Sequence, residues 1–333
     1  MIKAQVKGGK HVGVVMAYAK FVRENYTYII LTALVVAIVV GLFTSSPGVF
    51  IQRFNSLIII VLMSTTSFTI TLKSLALAAK DWRGTVFGLM LNFLLAPFLC
   101  WILASLLLPS HPELATGLIL IGVVPCAGMA VVWVALLKGD VPLSIVINAI
   151  TILLAPFIIP PLMLLFAGKF VTVDSWGMFQ QLTYTVLFPV LGGVALREFL
   201  ERRFSIQKYL PVMPAISATM AVLLMFMAIN INISPIIKNM GLIAPLVTST
   251  VVVFPILFLV AYLTSLKFFS KHKIIAITYS SGMKNLPIAV GIAAISLKGL
   301  AMLPVAVGFA FQMLTAVTFY QLFRRAMAKE ERK

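Results

Sequence analysis

From residue 26 onward the chain alternates between long apolar runs and short polar breaks, and each run holds at least 18 residues. An α-helix needs about 20 such residues to cross a bilayer core, whereas the strands of a membrane barrel alternate within roughly ten-residue segments. The pattern therefore predicts an all-α membrane protein with ten transmembrane helices. They fall at residues 26–43, 56–77, 84–108, 115–137, 141–167, 176–197, 210–232, 241–268, 273–298 and 300–324. The breaks leave no room for a second soluble domain. Residues 1–25 read as a cytoplasmic lead-in, basic and only moderately apolar, unlike a cleavable signal, and residues 325–333 as a basic tail.

Ten is twice five, and an odd number of spans per half turns the second half upside down relative to the first. The expected halves are two inverted five-helix repeats, residues 26–167 and 176–324. Two segments five spans apart support them: "CAGMAVV" in the fourth run and "SSGMKNLPIAV" in the ninth. Both carry Gly-Met, at Gly128–Met129 and Gly282–Met283, with Pro125 or Pro287 nearby. Proline in a span removes a backbone donor that lipid cannot replace, so such breaks survive where protein or a water-filled cavity surrounds them. A matched pair of interrupted helices points to a transporter binding site, although one proline or glycine alone commonly serves as a kink.

Composition narrows the classes. Apolar residues make up 61% and charged residues 11%, which leaves no polar shell for a water-soluble fold. A net charge of +17 would suit a nucleic-acid partner, but its placement argues otherwise. With the N-terminus inside, 21 of the 26 basic residues fall in inner segments, and only Arg53, Lys169, Lys238 and Lys298 in outer ones. That asymmetry follows the positive-inside rule and predicts a multi-pass protein of the cytoplasmic membrane with both termini cytoplasmic. The expected partner is thus the lipid bilayer, with no nucleic acid. Cys100 and Cys126 both lie within runs, so no disulfide framework is implied.

One basic residue remains. All nine carboxylates and the three histidines sit in loops, termini or helix ends, so neither a metal site nor a buried Asp or His proton relay is expected. No cofactor is expected either. There is no HExxH and no P-loop, which argues against an enzyme and leaves an ion or substrate gradient as the energy source. Lys284, by contrast, lies deep in the ninth run, roughly 15 Å from either surface at about 1.5 Å per residue, too far to snorkel. A charge there costs about 2.5–3.5 kcal/mol on insertion scales. Two readings stand: an ammonium that only ties carbonyls at the break, or a group with a part in substrate or coupling chemistry. Polar groups able to share its level are Asn92, Ser144, Asn148, Ser280, Ser281, Asn285 and Gln312. Ser144 and Asn148, four apart, share one helix face. Taken singly, each also serves as interhelical glue.

The run "GVVPCAGMAVVWVALLKGDVPLSIVINAITILLAPFIIPP" (residues 122–161), with "YSSGMKNLPIAVGIAA" (residues 279–294), resembles the bile acid:sodium symporter family and the related arsenite efflux permeases. The resemblance extends over about residues 26–325. It implies a core domain in which broken helices 4 and 9 cross, and a panel domain of helices 1, 2, 6 and 7 that moves against it. It also implies two sodium sites near the crossing, and there the chain departs from the family. Ser144, Gly282, Met283 and Asn285 are retained. Ala130-Val131 replaces a Ser-Asn pair, Asn148 a threonine, Asn92 a glutamine, Ser280 a glutamate and Lys284 a glutamine. These departures speak against sodium coupling. Losing an anionic glutamate while gaining an ammonium keeps a positive centre without an ion. We therefore expect Lys284 to stand where sodium would sit, with no bound sodium there, and to attract a small anionic substrate beside the positive helix N-termini at the break. Proton coupling through Lys284 is the accompanying expectation. The alternative follows the arsenite permeases. "CAGMAVVW" resembles their fourth helix, in which a cysteine at the position of Cys126 binds trivalent arsenic, followed by Met129 and Trp133; Asn285 replaces the acid of their ninth helix.

Overall fold

The computed structural model describes residues 2–68, 70–71, 81–204, 206–207, 209–297 and 299–330, with side-chain surroundings from residue 13 to 327. Of the basic residues counted above, Lys73, Lys80, Lys208, Lys298, Arg332 and Lys333 lie outside the described residues, as do the side chains of Lys3, Lys7, Lys10 and Lys329. Among the described residues the chain is all-helical. Its helices are α1 (Ile2–Phe43), α2 (Ser46–Gln52), α3 (Asn55–Ser67), α4 (Trp82–Leu107), α5 (Pro112–Val123), α6 (Met129–Leu136) and α7 (Val141–Ala167). They continue as α8 (Ser175–Arg203), α9 (Met213–Lys238), α10 (Ile243–Ser265), α11 (Lys271–Gly282), α12 (Leu286–Ser296) and α13 (Met302–Glu330).

Among the described residues seven helices are long and apolar enough to cross a membrane, and α2 with α3, bent by 62° at their break, reads as an eighth span. The two remaining predicted spans, 115–137 and 273–298, are each broken, into α5 and α6 and into α11 and α12. The boundaries shift for physical reasons. The first helix does not begin at residue 26 but runs from Ile2, because Ala19, Val22, Tyr26, Ile30 and Ala37 form one buried stripe packed along α9. The second helix stops at Ser67, and the rest of its predicted span at 72–77 lies outside the described residues.

Local chemistry sets the ends and bends. Every aspartate in the chain is an N-cap: Asp81, Asp140 and Asp174 accept from Gly84 N, Leu143 N and Gly177 N at 3.4, 3.0 and 2.9 Å. In α4 and α8 the ladder widens to π-helix at Leu91–Leu95 and Thr183–Leu187. Each widened turn directly precedes a proline, Pro97 or Pro189, whose missing N–H and ring displace the hydrogen bonding of the turn before it.

Four packings organise the bundle: α1 lies along α9, α8 along α3, α4 along α5, and α10 along α11. Outward-facing apolar side chains such as Val35, Phe98, Leu164 and Leu259 remain about half exposed, the reverse of a water-soluble surface. With the apolar spans, this makes the chain an integral membrane protein.

Candidate functional site

Where α5 and α11 end, residues 124–128 and 283–285 leave the helix and meet. Ala127 N donates to the Met283 carbonyl at 3.0 Å and Asn285 N to the Pro125 carbonyl at 2.8 Å, a short antiparallel bridge centred on Cys126 and Lys284. In such a bridge the central pair points its own N–H and C=O outward, so these groups need other partners. Helix α7 supplies those for Cys126: its N–H donates to Thr151 Oγ1 at 3.3 Å and its carbonyl accepts from Asn148 Nδ2 at 3.0 Å. Helix α13 supplies the partner for Lys284, whose N–H donates to Gln312 Oε1 at 2.8 Å. Leu286 N donates back to the Lys284 carbonyl at 2.9 Å. The unwound backbone is thus satisfied inside an apolar bundle by three side chains.

Behind the crossing lies the Lys284 side chain, fully buried. Its Nζ donates to Asn92 Oδ1 at 3.0 Å and to the Asn92 carbonyl at 3.3 Å. Asn92 is oriented in turn, donating through Nδ2 to the Gly88 and Ser280 carbonyls at 2.9 and 3.0 Å. The Ser280 and Ser144 hydroxyls bond each other at 2.8 Å. No carboxylate takes part in this cluster. Gly282 fits because a Cβ there would stand 2.4 Å from the Phe258 ring, and Met283 is buried against the core. The Ser281 hydroxyl is buried without a partner.

In front of the crossing is a cavity of about 140 Å³. Its floor is the crossing itself, with Ala127, Gly128, Met129, Lys284 and Asn285, together with Gln312 from α13; its opposite wall includes Tyr26, Thr66 and Ser217 of α1, α3 and α9. Two amides in the floor have fixed orientation. Asn285 Oδ1 accepts from Ile288 N at 3.4 Å, and Gln312 Oε1 accepts from Lys284 N. A backbone N–H can only donate, so each amide must present its nitrogen elsewhere. Asn285 Nδ2 and Gln312 Nε2 are the donors left for a ligand, beside the N-terminus of α6. The lining contains no acidic side chain.

The sequence-expected site therefore divides in two. Lys284, Asn285, Gly128, Met129 and Gln312 line the cavity, whereas Asn92, Cys126, Ser144, Asn148, Ser280, Ser281, Gly282 and Met283 form the structure behind it. The Cys126 thiol is fully buried and donates to the Ala127 carbonyl at 3.4 Å. Sequence reasoning missed Thr151, although it extends the Ser144–Asn148 face by one turn, and missed Tyr26, Thr66 and Ser217 as one wall of a cavity, because nothing within a single span shows which helices face each other.

Comparison with known proteins identifies the family. The model of the Sodium Bile acid symporter family matches residues 56–239, more than half of the chain. The uncharacterized sodium-dependent transporter YocS of Bacillus subtilis is 31% identical over 142 residues, 42% of this chain and 43% of the relative. The rice chloroplast protein described as a probable sodium/metabolite cotransporter, BASS1, is 31% identical over 172 residues, 51% of this chain and 41% of the relative. The arsenical-resistance protein Acr3 of Corynebacterium glutamicum is 43% identical over 63 residues, 19% of this chain and 17% of the relative. The matches span less than half the length of each of these relatives. By this match over more than half of its length, the chain belongs to the sodium bile acid symporter family.

Proposed function

We propose that this protein is a secondary transporter that carries a small organic anion across the cytoplasmic membrane by alternating access, without sodium, and with Lys284 as its fixed positive centre. The observation that carries the proposal is a buried lysine amine donating to two neutral oxygens of Asn92, with no carboxylate beside it among the described residues. Asn92 stands, by resemblance, where the symporters have a sodium-site glutamine. The amine thus draws on oxygens that a bound cation would otherwise take. The cavity adds two oriented amide donors and a helix N-terminus, with no acid to repel an anion. Protonation of Lys284 is the coupling step this reading offers in place of sodium.

The ten-span, inverted-repeat arrangement belongs to the same proposal, with repeats at 26–167 and 176–324 and both termini cytoplasmic. In its favour, α1 packs on α9 as α8 packs on α3, and α4 on α5 as α10 on α11, the pairings that two inverted halves would exchange. The antiparallel bridge between the breaks agrees with that symmetry. On this reading α1, α2, α3, α8 and α9 form the panel and the other helices the core.

The names of the relatives include sodium, so the deciding measurement is uptake of labelled carboxylates and sulfonates into proteoliposomes, with sodium or choline outside and across a pH gradient. We expect uptake that is indifferent to sodium and lost in Lys284→Ala. Strict sodium dependence would refute the proposal. The similarity to an arsenical-resistance protein motivates arsenite as the second substrate to try, through Cys126. That route requires a thiol facing the cavity, and Cys126 turns toward the protein interior.

A further inference from the structure

We propose that Gln181 latches the outer entrance of the cavity, holding α8 and α3 against α12 through the Gly291 carbonyl and the Ser296 hydroxyl. The proposal rests on the alternating-access reading and the sidedness given above. Gln181 Nε2 donates to the Gly291 carbonyl at 3.0 Å, and Asn55 Nδ2 donates to the same oxygen at 3.4 Å. The Ser296 hydroxyl donates to Gln181 Oε1. Gly291 makes the contact possible, since a Cβ there would stand 2.2 Å from Ile59 Cδ1 of α3.

Asn55 opens α3, Gln181 lies in the first turns of α8, and Ser296 closes α12, so all three sit at helix ends next to the outer loops. At the opposite ends the same helix groups part around the cavity, where Thr66, Pro214 and Ser217 line it. Thr66 and Ser217, both on one wall of the cavity, bond each other there at 3.0 Å. The molecule is thus joined at its outer end and separated at its inner end, the geometry of a transporter facing the cytoplasm.

The latch is also built to open. Asn55 is buried with its Oδ1 unpartnered, a group that gains water when α3 leaves α12. Closing therefore carries an opposing term that keeps the two states within reach of each other.

A reporter substitution, Val131→Cys in the cavity wall, tests this with a membrane-impermeant maleimide on vesicles of both orientations. In the otherwise unaltered chain we expect labelling from the cytoplasmic side only. Adding Gln181→Ala removes two hydrogen bonds and should raise labelling from the outside roughly tenfold; an unchanged outside rate, with inside labelling intact, overturns the latch. Should Gln181→Ala fold poorly, Gln181→Cys paired with Ser296→Cys provides the second arm. Once crosslinked, that protein should be labelled at position 131, read by peptide mass, from the inside alone, and should regain outside labelling at that position when reduced. Outside labelling while crosslinked also overturns the latch. A reporter that reacts equally from both sides in the otherwise unaltered chain overturns the latch but not alternating access, which needs both sides to be reached in turn; anion uptake that continues at the full rate in the crosslinked protein would defeat alternating access itself.

Discussion

The bond between Lys284 and Asn92 makes the most exacting prediction. Replacing Asn92 by leucine keeps the side-chain volume close but removes the Oδ1 that accepts from Nζ at 3.0 Å and the Nδ2 that donates to the Ser280 carbonyl at 3.0 Å. A hydrogen bond to a charged group contributes about 1.5–3 kcal/mol, and a neutral interhelical one in a membrane protein about 0.6 kcal/mol. The expected loss for Asn92→Leu is therefore about 2–4 kcal/mol. Lys284→Met removes the buried charge together with its need for a partner, leaving chiefly an unpaired Asn92 oxygen at about 1–3 kcal/mol. With both changes made, each residue's reason for the other is gone. The double variant should be no less stable than Asn92→Leu alone, which amounts to a coupling of about 1–3 kcal/mol, the cost of Lys284→Met by itself. Reversible unfolding in mixed micelles, run as a double-mutant cycle, measures it. Additivity of the two single effects within about 0.5 kcal/mol would refute the charged pair as described.

Further outcomes follow from the same geometry. Gly282→Ala should cost about 1–3 kcal/mol, because the new methyl meets the Phe258 ring at 2.4 Å, and thermal unfolding with Phe258→Leu added should recover part of the loss. Asn285→Asp keeps an acceptor for Ile288 N but exchanges a cavity donor for a negative charge, so binding of an anionic ligand should weaken at least about tenfold in a thermal-shift titration while the unliganded midpoint stays close. Cys126→Ser should leave anion uptake intact, since the thiol lies outside the cavity lining; under the arsenite reading it abolishes arsenite resistance in a plate assay.

Much of the fold was legible because lipid imposes simple rules. Apolar run length located the long apolar helices, and the two Gly-Met segments located both breaks. The length of α1 was not legible, since a helix continues through polar residues wherever a neighbour gives it a buried stripe, as α9 does for Ala19, Val22 and Tyr26. The deep position of Lys284 could be argued from its depth in the run, and its full burial agrees. Its direction could not: whether the amine meets Asn92 or the cavity depends on how α4 is rotated, which spacing within one helix does not reveal. The far wall of the cavity was equally hidden, being contributed by three separate helices, α1, α3 and α9, whose polar residues resemble any others at an interface.

The bridge between Cys126 and Lys284 has a consequence for biosynthesis. In the first unwound stretch the Pro125 carbonyl and the Ala127 N–H are partnered by Asn285 N and the Met283 carbonyl, which leave the ribosome much later. Until then the early stretch must keep its hydrogen bonds with water or with the insertion machinery, so the first half cannot settle fully into lipid ahead of the second. Completion of the membrane-embedded structure is thereby tied to the arrival of the penultimate pair of helices, and a translational pause before them would prolong the exposure of the unfinished half to quality control.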